Sequence, residues 1–264
     1  MTKRTLTIIR VLLFCLLCAI TLATVSGVVK DLHTEWNQHL LLIATIAITF
    51  GLTILFVKWE KFQMKDVGVV TSNRTPSKMA IGFGIGLIMT ILQPAFVLLF
   101  GHYKIALATS FSFYAILFYF TLYFLVAVRE ELAFRGFPLF TLNNRFGFWT
   151  AQIIILIIFS LEHVVGGMSW FQAFLGAGTG ALLFGMAALK TNGIALPIGL
   201  HFAWNFGQWC LGFKKETGLL QGITEKGFEN VVERNGWISY LLIMIVAIVA
   251  FYFYRPKNTL TIQT

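Results

Sequence analysis

Three short segments place ionisable or amide side chains inside stretches that otherwise have the composition of membrane-spanning helices. They are Glu130-Glu131-Leu132-Ala133-Phe134-Arg135, Phe159-Ser160-Leu161-Glu162-His163 and His201-Phe202-Ala203-Trp204-Asn205. An ionised side chain at the centre of a membrane helix costs roughly 2.5–3.5 kcal/mol, so each one needs a partner or a function. Carboxylates and imidazoles are also groups that perform acid–base chemistry. The segments therefore predict one shared polar site.

The first segment contains two adjacent acids that are expected to behave differently. Glu131 and Arg135 are four residues apart, so on a helix they share a face and can form an ion pair. Glu130 points about 100° away from Glu131, because an α-helix has about 3.6 residues per turn. Glu130 is then free to face a cavity as an acid or base. The alternative is an ion-pair network that only joins helices, since structural networks also occur at such positions.

The two histidine segments have the same four-residue spacing. Phe159 precedes His163 and His201 precedes Asn205 by four residues, which places each pair on one helix face. Two histidines on separate helices, each with such a partner, favour a site over isolated packing residues. Pro197 lies one turn before His201 and can start or kink that helix. Glu162 is expected to face away from His163 and to lie at the rim of the site.

The composition identifies the class of protein. Hydrophobic residues make up 58% of the 264 residues and charged residues only 12%. A soluble domain has about 25% charged residues, so an integral membrane protein is predicted. The formal net charge of +9 could indicate nucleic-acid binding. Most basic residues flank apolar stretches, however, where they set membrane topology, so no nucleic-acid partner is expected.

The apolar stretches predict an all-α, polytopic fold, with residues 1–264 forming a single integral membrane domain. About eight transmembrane helices are expected, each near the ~20 residues that a bilayer requires. They are Thr7–Val29, His39–Trp59, Met79–Gly101, Ser110–Phe140, Phe148–Val165, Phe171–Leu189, Ile194–Leu211 and Trp237–Tyr254.

Glycine recurs at alternate positions in two of these stretches, Gly82-x-Gly84-x-Gly86 and Gly176-x-Gly178-x-Gly180. Neither follows the strand that a nucleotide-binding loop requires. Both contain Gly-x-x-x-Gly, which lets neighbouring membrane helices approach closely, so helix packing is predicted.

The lysines and arginines predict the orientation in the membrane. With the N-terminus inside, twelve of them lie on the inner side: Lys3, Arg4, Arg10, Lys58, Lys61, Lys65, Arg74, Lys78, Arg145, Lys190, Arg255 and Lys257. Six lie on the outer side: Lys30, Lys104, Lys214, Lys215, Lys226 and Arg234. This excess favours cytoplasmic termini, and the protein is expected in a membrane with a lipid bilayer as its surroundings.

The expected depths of the polar residues allow them to meet. If the fourth helix continues straight to Phe140, Glu130 lies about 15 Å from the cytoplasmic side, and His201 lies about 13 Å from it. His163 lies about 22 Å from that side, a difference that helix tilt could remove. The residues are therefore expected to converge within the bilayer, in a cavity open to the cytoplasm.

At these residues the chain resembles the CAAX-protease and bacteriocin-processing (CPBP) family of intramembrane proteases. This family includes the CAAX prenyl protease 2 and lysostaphin-resistance-protein-A-like proteins. Its pattern is Glu-Glu-x-x-x-Arg, Phe-x-x-x-His and His-x-x-x-Asn on successive membrane helices, and all three motifs occur here in order. The resemblance covers a core at about residues 114–206.

The resemblance implies that the protein is a peptidase, and that its peptide-bond hydrolysis uses a water molecule activated by a glutamate. On this interpretation Glu130 is the general base, helped by His163, while Glu131 and Arg135 give structural support. His201 and Asn205 would donate hydrogen bonds to the oxyanion. The substrate would be a membrane-associated peptide or protein, with a prenylated C-terminus or a leader-type sequence. No metal or other cofactor is expected.

Other functions stay open at this stage. Glu130, His163 and His201 could instead hold a catalytic zinc ion with an open fourth position, although the His-Glu-x-x-His helix of common zinc proteases is absent. A transporter or proton relay also buries such residues, but no matching pair of interrupted helices suggests one. A non-catalytic immunity or regulatory scaffold is the third possibility.

Overall fold

The computed structural model describes residues 2–32, 34–108, 112–214 and 218–255. Lys215 and Lys257 of the charge count, and Ser110 at the expected start of the fourth span, lie outside these residues. The α-helices are α1 Lys3–Lys30, α2 Asn37–Trp59, α3 Thr75–Leu99, α4 Phe113–Glu130, α5 Phe137–Phe146, α6 Phe148–Val165, α7 Gly178–Thr191, α8 Ala195–Cys210 and α9 Glu229–Phe253. A 3₁₀ turn spans Met64–Val67, and π-helical turns span Glu131–Arg135 and Gln172–Ala177.

The predicted class, an all-α polytopic membrane protein, is confirmed. Within the described residues, seven helical segments are long and apolar enough to cross a membrane, counting α4 through α5 as one segment. The seventh expected span, Ile194–Leu211, corresponds to α8, which has 16 residues and lies mostly buried among the other helices. Apolar side chains such as Leu16, Leu55 and Ile245 are exposed on the outer helices, where a bilayer would contact them.

Helices α3 and α8 pack backbone against backbone through glycine. A Cβ atom added at Gly82 would lie 2.1 Å from the Leu196 carbonyl oxygen, and one added at Gly199 would lie 2.0 Å from that of Met79. Any larger residue would therefore push the helices apart. The predicted packing role of the first glycine pattern is confirmed at Gly82. This close contact with α3 holds α8, the helix that carries the third motif, in place.

The second glycine pattern also lies in a helix contact. A Cβ atom added at Gly178, the first residue of α7, would lie 2.9 Å from the Ser160 hydroxyl oxygen of α6. The contact brings α7 close to the helix that carries the second motif.

The fourth span is not one straight helix, contrary to the expectation from its composition. After α4 ends at Glu130, the amide of Gly136 donates to the Glu131 carbonyl oxygen at 3.0 Å, five residues back, which defines the π-helical turn. Gly136 then has ψ −119°, outside the helical range, and α5 begins with Pro138 in its first turn. The chain bends directly after the two acids, and such π turns are frequent at functional sites.

The polar segment Gly212–Gly236 contains a strand that the sequence analysis did not predict. Strand β1 (Tyr103–Leu107) pairs antiparallel with β2 (Leu220–Thr224), with Tyr103 opposite Thr224. The pair lies where α3 and α8 end and α9 begins, on the face opposite the start of α1 and the end of α9. It therefore forms part of one end of the helix bundle.

Candidate active site

The acid and the arginine of the first motif form a fully buried ion pair. Arg135 Nη1 lies 3.3 Å from Glu131 Oε1, and both side chains are 0% exposed, so the predicted pairing is confirmed. The guanidinium carbon also lies 4.5 Å from the ring centre of Phe159 and 5.5 Å from that of Phe184. Cation–π attraction offsets part of the cost of burying the arginine. Arg135 thus ties the first and second motifs together.

His201 of the third motif lies between the two acids. Its Nδ1 atom is 2.8 Å from Glu131 Oε1, and its Nε2 atom is 3.7 Å from Glu130 Oε2. Its ring stacks on Phe184 with centres 4.5 Å apart and planes 16° apart. Because a carboxylate can only accept, Nδ1 carries a proton and donates to Glu131. Glu131 therefore orients His201 as well as Arg135.

Glu130 and Glu131 differ in access, as the helix geometry predicted. The Glu130 side chain is 14% exposed and lines a large cavity, whereas the Glu131 side chain is 0% exposed. The turn of the backbone at this point directs one carboxylate to the cavity and the other to Arg135. Only Glu130 can meet a molecule that enters the cavity.

His163 is oriented by its own helix. Its Nδ1 atom lies 2.9 Å from the Phe159 carbonyl oxygen, and its ring centre lies 4.4 Å from that of Phe159. A carbonyl oxygen is an acceptor, so Nδ1 donates, and Nε2 is the nitrogen left to accept or carry a second proton. His163 lines the same cavity as Glu130 and His201. Phe159 therefore serves the site twice, by its carbonyl group and by its ring.

Asn205 lines the cavity one turn beyond His201. Its Oδ1 atom accepts a hydrogen bond from Lys214 Nζ at 3.4 Å. The amide nitrogen of Asn205 then has its two hydrogens available to the cavity. Lys214 lines the cavity too, and its ammonium group lies 5.6 Å from the ring centre of Tyr123. Lys214 was not expected at the site from its place in the sequence.

A second buried ion pair lies beside the site and was missed at the sequence level. Arg129 and Glu162 form an ion pair, with side chains 6% and 18% exposed. Glu162 does face away from His163, but its expected place at the rim was wrong, because it lies inside against Arg129. An unassigned arginine within an apolar span, next to Glu130, was the signal that a second acid was needed. The pair joins α4 to α6 at the residues that precede Glu130 and His163.

The cavity has a volume of about 1070 Å³ and opens at the end of the bundle that carries the strands. Its mouth is formed where α6 and α8 end and where α9 begins. The residues there include Met168, Lys214, Glu229, Glu233 and Trp237. This end is opposite the start of α1 and the end of α9.

The expectation of a cavity open on the side of the chain termini was therefore wrong. The depth of a residue along its helix does not reveal which end of the bundle is closed. Toward the termini, α5 follows the π-helical turn directly, and Phe137 packs against Phe14 and Phe56 with ring centres 5.2 and 5.5 Å apart. These aromatic contacts fill the space between the polar residues and the end of the bundle at which α1 begins.

The three possible zinc ligands, Glu130, His163 and His201, line one cavity. Among the residues that the structure describes, no three His, Cys, Asp or Glu side chains are placed to hold a metal ion together. His201 Nδ1 is engaged with Glu131, and His163 Nδ1 with Phe159. Both hydrogen bonds leave Nε2 of the ring unused, so these Nδ1 contacts do not by themselves decide between glutamate and metal chemistry.

Comparison with known protein families agrees with the motifs. Residues 111–207 match the family described as Rce1-like, type II CAAX prenyl endopeptidase. All three motifs lie within the matched stretch. No curated protein matches the chain. The site thus defines an intramembrane peptidase, a hydrolase. The match over residues 111–207 confirms the resemblance to the CPBP/CAAX-protease family that was inferred from the motifs.

Proposed function

We propose that this CAAX-type intramembrane endopeptidase hydrolyses peptide bonds with a water molecule activated by Glu130. The observation that carries the proposal is the contrast between adjacent acids. Glu130 is partly exposed to the cavity, while Glu131 is closed in by Arg135 and His201. A general base must reach the molecule whose proton it takes. Of the two acids, only Glu130 meets that requirement.

The chemical step follows from the groups on the cavity wall. Glu130 takes a proton from the water as its oxygen attacks the carbonyl carbon of the scissile bond, which gives a tetrahedral intermediate with a negative oxygen. Return of that proton to the leaving nitrogen breaks the carbon–nitrogen bond and releases an acid and an amine. His163, with Nε2 available on the same wall, assists the proton transfers.

Asn205 and His201 stabilise the negative oxygen in this proposal. The amide N–H groups of Asn205 are available because Lys214 occupies its Oδ1 atom. In a doubly protonated His201 ring, Nδ1–H donates to Glu131, and Nε2–H lies on the side of Glu130, 3.7 Å from its Oε2 atom, where it can donate to an oxyanion in the cavity. Donors fixed before the reaction contribute most, and losing one costs about 3–4 kcal/mol of transition-state stabilisation.

Glu131 and Arg135 hold this arrangement without touching the substrate. Glu131 accepts from His201 and pairs with Arg135, and Arg135 packs on Phe159, whose carbonyl group orients His163. Five residues from three helical segments are thereby connected. Their role is to keep Glu130, His163 and His201 at fixed separations.

The substrate is a membrane-associated peptide, either with a prenylated C-terminus or of the leader type. No metal or other cofactor is needed in this scheme. The cavity mouth lies opposite the chain termini, so cytoplasmic termini would place it on the non-cytoplasmic side of the membrane. Apolar side chains beside the mouth, including Val165, Trp170 and Phe171, are exposed and would contact lipid. A lipid-anchored substrate could therefore approach the mouth from within the bilayer.

The test compares the purified protein with its Glu130→Gln variant in detergent. Each is incubated with a prenylated peptide ending in a CAAX sequence and with the same peptide lacking the prenyl group, and cleavage is followed by mass spectrometry. Glu35→Gln is the matched control, because it removes an exposed carboxylate that pairs with Tyr114 away from the cavity. Membrane proteomes of cells with the wild type or Glu130→Gln would then reveal natural substrates as uncut peptides.

Glu130→Gln should accumulate normally and cleave nothing, while Glu35→Gln should cleave like the wild type. Full cleavage by a well-folded Glu130→Gln protein would refute the assignment of the base. A cellular phenotype that survives in Glu130→Gln would instead favour the scaffold role.

A further inference from the structure

A second cavity lies at the opposite end of α8 from the mouth of the active site, on the face that holds the chain termini. Its volume is about 240 Å³. The segment after the 3₁₀ turn, the start of α3 and the α7–α8 connection enclose it. Its wall contains two lysines, two hydroxyl residues and an asparagine: Lys65, Lys78, Ser72, Thr75 and Asn192.

The cavity is built by two glycines in contact. Gly68 has φ +69°, and a Cβ atom there would lie 2.9 Å from the Gly193 Cα atom and 2.6 Å from the Phe140 ring. The amide of Ile194 donates to the Gly68 carbonyl oxygen at 3.1 Å. A residue with a side chain would be strained at Gly68 and would separate the two connections. The shape of the cavity is therefore set by backbone contacts rather than by mobile side chains.

The charge in this cavity is positive. Lys78 is half-buried, and its ammonium group donates to the Thr191 carbonyl oxygen at 2.8 Å, which fixes its position and leaves further donors. Lys65 is exposed and has no ion-pair partner among residues 2–32, 34–108, 112–214 and 218–255. The nearby Asp66 does not line the cavity, since its carboxylate accepts from the Gln63 amide at 2.8 Å. Two cations thus share an enclosed space without an acidic neighbour in its wall.

We propose that this cavity binds the phosphate group of an anionic lipid headgroup. The lysines supply charge, and Ser72 and Thr75 supply hydroxyl groups. Basic pockets between membrane helices on the cytoplasmic side are recognised sites for anionic headgroups. The sequence predicts most lysines and arginines of this chain on the same side of the membrane, as expected for the side that meets anionic lipids. The cavity adjoins the first residue of α8, the helix that carries His201. A bound headgroup would therefore stabilise the position of the N-terminus of this helix.

The experiment measures lipid retention by the full chain in detergent, with native mass spectrometry during titration with phosphatidylglycerol. Phosphatidylcholine is titrated in parallel as a zwitterionic lipid, and inorganic phosphate is used as a competitor. The variants are Lys65→Met and Lys78→Met, with Lys78→Arg as the conservative change. Lys58→Met is the matched control, since Lys58 is an exposed lysine of the same face that does not line the cavity. Thermal unfolding of each variant identifies any that fail to fold.

Phosphatidylglycerol should bind the wild type, Lys58→Met and Lys78→Arg alike, and its affinity should fall about fivefold for each lysine of the cavity that is lost. Competition by inorganic phosphate with the same dependence on Lys65 and Lys78 would identify the phosphate group as the ligand and show that a soluble source can also fill the site. Equal retention by Lys58→Met, Lys65→Met and Lys78→Met, or equal binding of phosphatidylcholine, would overturn the proposal.

Discussion

Glu131 Oε1 lies 2.8 Å from His201 Nδ1 and 3.3 Å from Arg135 Nη1, so one buried carboxylate oxygen is shared by a histidine and an arginine. Residues 131 and 201 are 70 positions apart, and this contact joins the first motif to the third. Glu131 has no access to the cavity. Its effect on the reaction must therefore pass through the groups that it orients.

The first prediction separates the two adjacent acids by stability. Glu131→Gln should lower the thermal midpoint in detergent and the protein level in membranes, because it leaves Arg135 buried without a counter-charge. Removing one partner of a buried pair costs about 3–5 kcal/mol. Arg135→Ala should have a similar effect, whereas Glu130→Gln should unfold close to the wild type. A Glu131→Gln protein with wild-type stability would contradict this role.

The local contacts of the site were predictable from the sequence, and the distant ones were not. The Glu131–Arg135 pair follows from a spacing of four residues, and so does the placement of Phe159 beside His163. The Arg129–Glu162 pair joins residues 33 positions apart. Strands β1 and β2 pair although the whole segment from Leu107 to Leu220 lies between them in the chain. Such contacts depend on how helices are arranged around each other, which hydrophobic spans alone do not specify.

The spans themselves agreed closely with the helices, because about 20 apolar residues are needed to cross a bilayer. The π-helical turn at Glu131–Arg135 was missed, since its residues favour a continuous helix and its signal is only the glycine and proline that follow. The face on which the cavity opens was also wrong, because it depends on the packing of Phe137 against α1 and α2.

The second prediction concerns the oxyanion donors. Asn205→Ala should lower kcat by roughly 10²–10³ with little change in KM, the usual loss for a donor that acts in the transition state. Asn205→Asp is the control of matched shape, and it should be equally inactive because a carboxylate has no N–H to donate. Lys214→Met should lower kcat less, since it frees the Asn205 amide to rotate, and Lys214→Arg should retain most activity. Unchanged kcat in Asn205→Asp would exclude this donor.

The third prediction distinguishes glutamate from zinc chemistry. Purified enzyme should cleave its peptide without a stoichiometric metal ion, and a strong chelator should leave kcat unchanged once its effect on detergent and substrate is controlled. His163→Ala should lower turnover without changing the metal content measured by elemental analysis. Zinc that is lost together with activity and restored together with it would defeat the glutamate mechanism and make Glu130, His163 and His201 the ligands to test.

The last prediction joins the orientation of the chain to the location of the cavity mouth. Single cysteines at Asn144, Asn192 and Gln221, all exposed positions, are introduced into a chain whose own Cys15, Cys18 and Cys210 are replaced by serine. An impermeant maleimide is then applied to intact cells and to inverted vesicles. The excess of lysine and arginine on the side of the termini predicts labelling of Asn144 and Asn192 only from the cytoplasm. Gln221 should be labelled only from outside, together with a cysteine at Met168 in the cavity mouth.

The cysteines at Met168 and Gln221 must be labelled from the same side in either orientation, because both positions lie at the end of the bundle opposite the start of α1 and the end of α9. Labelling of Asn144 from outside would reverse the orientation and give the active site cytoplasmic access, while labelling of Met168 and Gln221 from different sides would contradict the fold itself.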